Sequence, residues 1–245
     1  MIDLHCHILP ELDDGPKTWE ESLDMARRAV DDGIQVVVAT PHLFKNRRVE
    51  IRETNSRELI LATLEEFRQR LRDAAIPLAV LPGCDVPLSL EAMDLLEAGQ
   101  VLTINDGQRY LLLELPDTAL PPALESICFR LQTKGLTPII THPERHMLFQ
   151  EMPEKLGRLL DLGCLAQLTA GSLLGNFGRR VAKISRKLVK QGYIHILASD
   201  AHNNRSRPPE LSQAVQEMAR LVGQDAALAM VTATPERIIQ GQPFN

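Results

Sequence analysis

Short apolar segments alternate with longer amphipathic segments along the chain. Several of the short segments, such as QVVVAT and YLLLEL, are apolar without a polar alternation, which is typical of strands buried on both faces. The longer segments repeat apolar residues at helical spacing, and Asp, Ser, Thr, Pro and Gly mark many of their ends. The pattern predicts seven strands, over residues 1–5, 36–40, 78–86, 110–115, 137–141, 164–169 and 194–199, and six helices, over residues 18–32, 49–73, 121–134, 153–162, 179–191 and 210–221.

Seven strands that alternate with helices along most of the chain predict an α/β fold with a parallel sheet. A closed barrel and an open doubly wound sheet both satisfy this pattern. No Ser/Gly-rich linker, low-complexity tract or internal repeat divides the 245 residues. We therefore expect a single domain over residues 1–245.

Composition narrows the class of protein. The chain is 44% hydrophobic and 24% charged, an ordinary soluble mixture, and no apolar run approaches the roughly 20 residues that cross a bilayer. We therefore expect no membrane insertion. The net charge of −5 and the aromatic content of 4% argue against a nucleic-acid partner, because such binding uses basic patches and stacking rings.

The first residues lack the pattern of a secretory signal peptide. The cysteines are far apart and form no CxxC pair, which indicates buried thiols in a reducing compartment. The expected location is therefore cytoplasmic. A cysteine-dependent phosphatase is disfavoured, because the positions six residues after the four cysteines hold Leu12, Leu90, Lys134 and Ala170 rather than arginine.

Histidines and carboxylates fall at the carboxyl ends of the predicted strands, which share one face in a parallel α/β fold. The spacing Asp3-x-His5-x-His7 places three side chains on one face of an extended segment. Imidazoles with carboxylates and no paired thiols suit Mn²⁺, Fe²⁺ or Zn²⁺. There are too many candidate ligands for one ion, so we expect two or three ions. Besides Asp3, the candidates at strand ends are His5, His7, His42, Asp85, Glu114, His142, Asp200 and His202.

Two arginines follow these histidines and carboxylates closely. Arg145 lies three residues after His142, and Arg207 lies seven residues after Asp200. A guanidinium beside a metal cluster binds phosphate or carboxylate in a fork geometry. Nucleotide-binding and serine-hydrolase motifs (GxGxxG, GxxxxGK[ST], GxSxG) are absent from the sequence.

The order DxHxH, TPH, THPER, SDAH is similar to that of the PHP (polymerase and histidinol phosphatase) family of metal-dependent phosphoesterases. The fuller strings MIDLHCHILPELDDGPKTWEESL, IITHPERH, QLTAGSLLGNFG and LASDAHN resemble the bacterial manganese-dependent protein-tyrosine phosphatases of capsule and exopolysaccharide operons. The resemblance covers essentially the whole chain and implies a distorted (β/α)7 barrel with a three-metal site. It implies one ion held by His5, His7, Asp200 and a bridging Asp85, a second held by Asp85, Glu114 and His142, and a third held by Asp14, His42 and His202.

One position departs from the resemblance. The relatives usually have Glu where this chain has Asp85, and Asp is one methylene shorter. Either the backbone moves inward or the bridge between two ions is weaker. Asp13, beside Asp14, is expected as a partner on the helix side and only as a reserve ligand.

The activity that the resemblance implies is hydrolysis of a phosphomonoester by metal-activated water, without a phosphoenzyme. Arg145 and Arg207 match the phosphate-binding arginines of the family, and His202 and metal-bound water are the candidate acids for the leaving group. The implied substrate is phosphotyrosine on an autophosphorylating tyrosine kinase of polysaccharide export.

Two other interpretations stay open at this point. The chain could be a small-molecule phosphatase such as histidinol-phosphate phosphatase, or a non-catalytic module whose barrel lacks a competent cluster. Self-association also stays open, because the apolar helix face over residues 59–71 suits either a core or a contact in a homo-oligomer.

Overall fold

All strands of the computed structural model are parallel; the structure describes residues 1–44, 54–116 and 120–244. The predicted α/β fold with parallel strands is confirmed. One sheet has the order β1-β2-β3, with β1 at Ile2–Cys6, β2 at Val36–Ala39 and β3 at Ala79–Pro82. The second sheet has the order β4-β5-β6-β7-β8, with β4 at Asp85–Pro87, β5 at Tyr110–Glu114, β6 at Thr137–Thr141, β7 at Leu165–Thr169 and β8 at Ile196–Ala198.

The single strand predicted over residues 78–86 is wrong in one respect: the structure divides it into β3 and β4. β3 pairs with β2, and β4 pairs with β5. At the break, a Cβ on Gly83 would lie 2.7 Å from Val38 Cγ1 and 3.1 Å from Thr40 Cγ2. Glycine therefore lets the chain pass close to β2 as it changes partner.

Backbone hydrogen bonds join the two sheets at the carboxyl ends of their strands. The Asp200 N–H, just after β8, donates to the His5 carbonyl of β1 at 2.8 Å. The Leu43 N–H, beyond β2, donates to the Asp85 carbonyl of β4 at 3.0 Å. These bonds hold loops from both sheets at one place.

The six predicted helices are present with ends moved by a few residues, except that residues 49–53 of the second lie outside the described residues and the observed helix starts later. Among the described residues, the pattern missed five further α-helices, most of them short. No helix in the described part of the chain is long and apolar enough to span a bilayer. The predicted helices are α1 (Trp19–Asp31), α2 (Arg57–Asp73), α4 (Leu124–Thr133), α6 (Glu154–Asp161), α8 (Arg179–Lys190) and α9 (Ser212–Val222), and the missed ones are α3 (Leu90–Glu97), α5 (Met147–Glu151), α7 (Ala170–Leu174), α10 (Gln224–Ala229) and α11 (Ala233–Ile239).

Alternation along the strands separates the core from the site. In β5, Leu111 and Leu113 belong to the larger apolar cluster, whereas Leu112 belongs to a smaller cluster. Glu114 lies two residues after Leu112, so its side chain shares that face. The smaller cluster thus underlies the polar strand ends and excludes water beneath them.

The apolar face of α2 is used within the chain itself. Ile60, Leu64 and Phe67 are buried in the larger cluster, at the i, i+4, i+7 spacing of one helix face. Leu59 is 44% exposed. Among the described residues, most of the apolar face of α2 therefore packs into the core of the same chain.

Candidate metal centre

The nine predicted metal ligands meet at the carboxyl ends of the strands. Each of the nine has a side-chain nitrogen or oxygen that could bind a metal, and this atom lies within 3.8 Å of such an atom on another of the nine. Most are buried, although the Asp14 side chain is 64% exposed. Atoms about 2.1 Å from one cation lie roughly 3–4 Å apart, so separations of this size suit shared ions. In three groups within the described residues, the possible ligand atoms all lie within 4.8 Å of one another: His5, His7 and Asp200; His42, Asp85 and Glu114; and His7, Asp14, His42 and His202.

The first group lies between β1 and the end of β8. His5 Nε2 and His7 Nε2 are 3.2 Å apart. Asp200 Oδ1 lies 3.5 Å from His5 Nε2 and 3.7 Å from His7 Nε2. Two imidazoles and one carboxylate therefore face a common point.

The second group joins the loop after β2 to β4 and β5. His42 Nδ1 lies 3.0 Å from Asp85 Oδ2 and 3.6 Å from Glu114 Oε2. His142, just after β6, extends this group, because its Nε2 lies 3.3 Å from Glu114 Oε1. Asp85 Oδ2 is also 3.8 Å from His5 Nε2, which places Asp85 between the first group and the second.

The third group lies at the open side. Asp14 Oδ1 is 3.5 Å from His42 Nε2 and 3.3 Å from His202 Nε2. His7 and His42 each belong to two groups, so the division of the nine side chains among separate ions stays a prediction. A cleft of about 480 Å³ opens beside this group, and Asp14, His202, Lys17 and Arg205 are among the residues that line it.

The histidines are oriented by hydrogen bonds to their other ring nitrogen. His5 Nδ1 lies 3.0 Å from Gln167 Oε1, and His7 Nδ1 lies 2.6 Å from Asp13 Oδ2. Asp13 also accepts from the His42 N–H at 2.9 Å. These bonds leave Nε2 of both rings facing the cluster, the arrangement that metal-binding histidines use. Asp13, expected as a reserve ligand, thus orients a histidine, and sequence reasoning missed Gln167, whose only signal is a polar residue in the apolar strand LAQLT.

Asp3 does not join any of the three groups. Its carboxylate accepts from the Ser199 N–H at 3.0 Å and from the His5 N–H at 3.3 Å. Burial raises the pKa of Asp3 to about 6, against the lowering effect of these hydrogen bonds. Asp3 therefore ties the start of β1 to the residue that precedes Asp200.

Two candidate ligands have strained backbone. His142 has φ 35° and Asp200 has φ 52°, in the left-handed region that favours glycine. His142 directly follows β6, and Asp200 lies two residues beyond the end of β8. Such conformations cost of order 1–3 kcal/mol and persist where surrounding contacts hold them, commonly at functional sites.

Arg145 and Arg207 both bind Asp200. Arg145 Nη2 contacts Asp200 Oδ2, and Arg207 Nη2 lies 2.6 Å from Asp200 Oδ1. Burial alone would raise the pKa of Asp200, but Arg145, His5 and Arg207 hold it well below its usual range. The ring of Phe177 lies 4.9 Å from the Arg145 guanidinium carbon and 6.0 Å from that of Arg207. The predicted pair of arginines thus converges at the edge of the cluster.

The charges of the second group fit a divalent cation. Burial alone would lower the pKa of His42, but its pairing with Asp85 and the charge of Glu114 raise it to about 9. Oδ1 of Asp85 is buried without a hydrogen-bond partner among the described residues. A buried carboxylate oxygen without a partner is costly, and cation coordination is one way to satisfy it. The residues present therefore fit a metal.

Burial lowers the pKa of His7 well below its usual value, and the neighbouring His202 and His42 lower it further. A neutral imidazole is the form that binds metals. His202 donates from Nδ1 to the Asp200 carbonyl at 3.0 Å, which leaves Nε2 as its acceptor nitrogen.

Comparison with known proteins gives this arrangement a family. A profile of the family described as capsular polysaccharide synthesis, CpsB/CapC, matches residues 1–240. This chain belongs to the CpsB/CapC family. The tyrosine-protein phosphatase YwqE of Bacillus subtilis (strain 168) is 37% identical over 246 residues, which cover 99% of this chain and 92% of that protein. The tyrosine-protein phosphatase CpsB of Streptococcus pneumoniae is 30% identical, with 99% of each chain covered.

The fold agrees with a solved member of the family. This chain superposes with a TM-score of 0.93 on a crystal structure from a description of YwqE from Bacillus subtilis and CpsB from Streptococcus pneumoniae. That description calls both proteins unique metal-dependent tyrosine phosphatases. The two sequences are 36% identical, and the superposition covers 100% of this chain and 96% of the other chain. The family resemblance predicted from the motifs is confirmed, and the predicted class of enzyme agrees with the names of these relatives.

Proposed function

We propose that this chain is a metal-dependent protein-tyrosine phosphatase. The observation that carries the proposal is the buried cluster of histidines and carboxylates with two arginines converging on Asp200 at its edge. The names of the relatives support the same activity. No observation in the described residues favours the small-molecule phosphatase or the non-catalytic module.

We propose that the cluster holds two or three divalent cations, with Mn²⁺ as the main candidate and Fe²⁺ or Zn²⁺ as the others. The imidazole and carboxylate donor set supports this, since the buried cysteines take no part in the three groups. When bound, such ions lower the pKa of water and offset charge on phosphate oxygens. The proposed ligands are those predicted above: His5, His7, Asp14, His42, Asp85, Glu114, His142, Asp200 and His202.

The proposed role of Arg145 and Arg207 is to bind the non-bridging phosphate oxygens. Their shared contacts with Asp200 and Phe177 hold both guanidinium groups beside the cluster before substrate enters. Pre-oriented cations of this kind stabilise charge that develops in the transition state. His202 presents Nε2 as an acceptor in its neutral form, the form in which it would hold a cation, so a His202 that holds a cation would not also be the acid for the leaving tyrosyl oxygen.

We propose that the eight strands form one distorted (β/α)7 barrel, in which β3 and β4 count as a single interrupted strand. The bonds from Asp200 to His5 and from Leu43 to Asp85 support closure on both sides. A single domain over residues 1–245 stays a prediction. We propose a cytoplasmic location because the four cysteines are buried and form no disulfide: Cys6, Cys84, Cys128 and Cys164.

The proposed protein substrate is the phosphotyrosine-bearing tail of a tyrosine autokinase of polysaccharide export. Membership of a capsular polysaccharide synthesis family supports this choice. This choice of substrate can be tested by measuring dephosphorylation of the phosphorylated kinase from the same organism.

The decisive experiment compares two histidine variants. His7→Asn should lose metal and nearly all hydrolysis of a phosphotyrosine peptide, whereas His195→Asn, outside the three groups, should keep both. Metal content is measured by elemental analysis, and rates are measured with and without chelator and added Mn²⁺. Phosphoserine and histidinol phosphate serve as comparison substrates. A wild-type protein that is metal-free and inert with every added cation, or faster on histidinol phosphate than on phosphotyrosine, would refute the proposal.

A further inference from the structure

Helix α8 carries an unusual surface for a chain of net charge −5. Its twelve residues, RRVAKISRKLVK, include six cations and no acidic side chain. It lies between α7 and α9 along the chain and starts directly after Gly178. The six cations are Arg179, Arg180, Lys183, Arg186, Lys187 and Lys190.

These six residues lie on one side of the helix. At 100° per residue they fall within an arc of about 120°, and they span about 16 Å along the axis. The opposite side, with Ala182, Leu188 and Val189, is buried in the fold. The six cations therefore form one continuous surface, which we call the basic face of α8.

Most of this charge is left without an acidic partner. Arg180 pairs with Glu151 and Arg186 pairs with Glu217. The other four cations are exposed, and no carboxylate among the described residues lies within 4.0 Å of them: Arg179, Lys183, Lys187 and Lys190.

Helix α2 differs from α8, because arginines on α2 pair with acidic residues of the same helix. There Arg68 pairs with Glu65 and Arg70 pairs with Glu66, within one turn of the same helix. Repulsion among like charges on α8 is a cost that α2 avoids. An anionic partner would offset that cost.

The basic face adjoins the candidate metal centre. The helix begins two residues after Phe177, whose ring lies against the Arg145 guanidinium at 4.9 Å. The helix also packs against the turn at Pro143–Arg145. In a parallel α/β fold a helix runs opposite to its preceding strand, so α8 starts on the face of the strand ends and descends the side of the molecule. Positive charge therefore continues outward from the two arginines.

We propose that the basic face of α8 binds acidic residues that flank the phosphotyrosine of the protein substrate. This inference rests on the proposed function, because it places the phosphate at Arg145 and Arg207. An extended peptide covers about 3.3 Å per residue, so the face can follow roughly five residues of substrate beyond the rim. Charge complementarity favours Asp and Glu there, and the continuity with the arginines favours a segment attached to the phosphotyrosine over an unrelated anion.

The test separates the flanks from the phosphate. Three substrates are compared: para-nitrophenyl phosphate, a phosphotyrosine peptide with Glu-rich flanks, and one of equal length with Ser and Ala flanks. The variant is Lys183→Glu with Lys187→Glu. A control, Arg130→Glu in α4 with Lys134→Glu directly after it, changes the net charge by the same amount at another helix; both of these cations pair with Glu97 in the wild-type protein.

We expect the α8 variant to lower kcat/KM for the acidic peptide about five- to twenty-fold, since each exposed ion pair contributes modestly. Rates on para-nitrophenyl phosphate and the neutral peptide should stay within twofold of wild type. Added salt should reduce the wild-type preference for the acidic peptide and have little effect on the variant. The α4 control should behave like the wild-type protein.

An unchanged preference for the acidic peptide in the α8 variant would overturn the inference, as would an equal loss in the α4 control. Vesicles containing phosphatidylglycerol test the other anionic surface. Vesicle binding that the α8 variant loses while its peptide kinetics stay unchanged would also overturn the inference, in favour of a membrane surface. Failure of the wild-type protein on all three substrates would instead count against the proposed function.

Discussion

Asp85 is the residue at which chemistry and backbone are most tightly coupled. Its amide and carbonyl hydrogen bond to Pro41 and Leu43, both at 3.0 Å, so the strand cannot shift freely. From this position its carboxylate reaches both His42, at 3.0 Å, and His5, at 3.8 Å. The shorter acid therefore already lies close to side chains of two of the groups.

This geometry makes Asp85→Glu a damaging change. The longer side chain would be displaced by about 1 Å in a buried site, and misplacement of that size can cost about 100-fold in rate. We expect kcat/KM on para-nitrophenyl phosphate to fall at least tenfold, with fewer bound ions by elemental analysis. Asp94→Glu, on the exposed side of α3, is the control and should be neutral. A gain in metal affinity would show instead that the short acid is a handicap.

Arg207 and Arg205 stand in the same loop but face different surroundings. Arg207 contacts Asp200 at 2.6 Å, whereas Arg205 is exposed at the rim of the cleft. We expect Arg207→Ala to lower kcat/KM for a small phosphomonoester about 10- to 100-fold, because a charge-assisted contact with phosphate contributes about 1.5–3 kcal/mol. Arg205→Ala should change it less than twofold. Equal effects from the two variants would remove Arg207 from the phosphate site.

At the scale of elements, the break between β3 and β4 lets one stretch of chain serve both sheets. Gly83 lies against β2 so closely that a Cβ would meet Val38 Cγ1 at 2.7 Å. Asp85 follows two residues later as the first residue of β4. The position of a proposed ligand is thus coupled to the packing of a glycine outside the cluster.

We expect Gly83→Ala to destabilise the fold by about 1–3 kcal/mol, the usual cost of overpacking a core. Gly107→Ala is the control, since its Cβ would meet only Ile104 O, at 3.5 Å. Denaturant unfolding of both metal-free variants measures the difference. Unfolding midpoints for Gly83→Ala and wild type that coincide would show that β2 can move aside.

At the scale of the whole molecule, the cluster ties together strands from both sheets. His5, Asp85 and Glu114 come from three strands and are buried together. Without cations, carboxylates such as Asp85 and Glu114 repel each other in a site that excludes water. Bound metal should therefore stabilise the fold as well as serve the reaction.

Removal of the metal should lower the thermal midpoint. At a free cation concentration of 100 Kd, binding adds about 2.7 kcal/mol, which for a chain of this size corresponds to roughly 5–10 °C. Differential scanning calorimetry with chelator and then with Mn²⁺ measures the shift. Asp200→Asn is expected to lose most of the Mn²⁺-dependent shift, whereas His195→Asn should retain it. A thermal midpoint that changes neither with chelator nor with added Mn²⁺ would contradict a metal-bridged core.

The sequence by itself determined the parallel α/β class, the order of the predicted strands and the side chains at their ends. These features are local: continuous apolar runs such as Val36–Ala39 predict buried strands, and alternation places residues such as His5 and His7 on one face. Short helices such as α7 escaped the pattern, because five residues are too few to show helical periodicity.

Only the tertiary structure decided which neighbour each side chain meets. It separated Asp3, bound to Ser199, from His5 and His7, although all three lie in one short stretch of sequence. It also paired Asp13 with His7 and brought Arg145 and Arg207 to one carboxylate. The physical reason is that such contacts depend on strand register, loop course and left-handed turns, which are set by packing between residues distant in sequence rather than by local pattern.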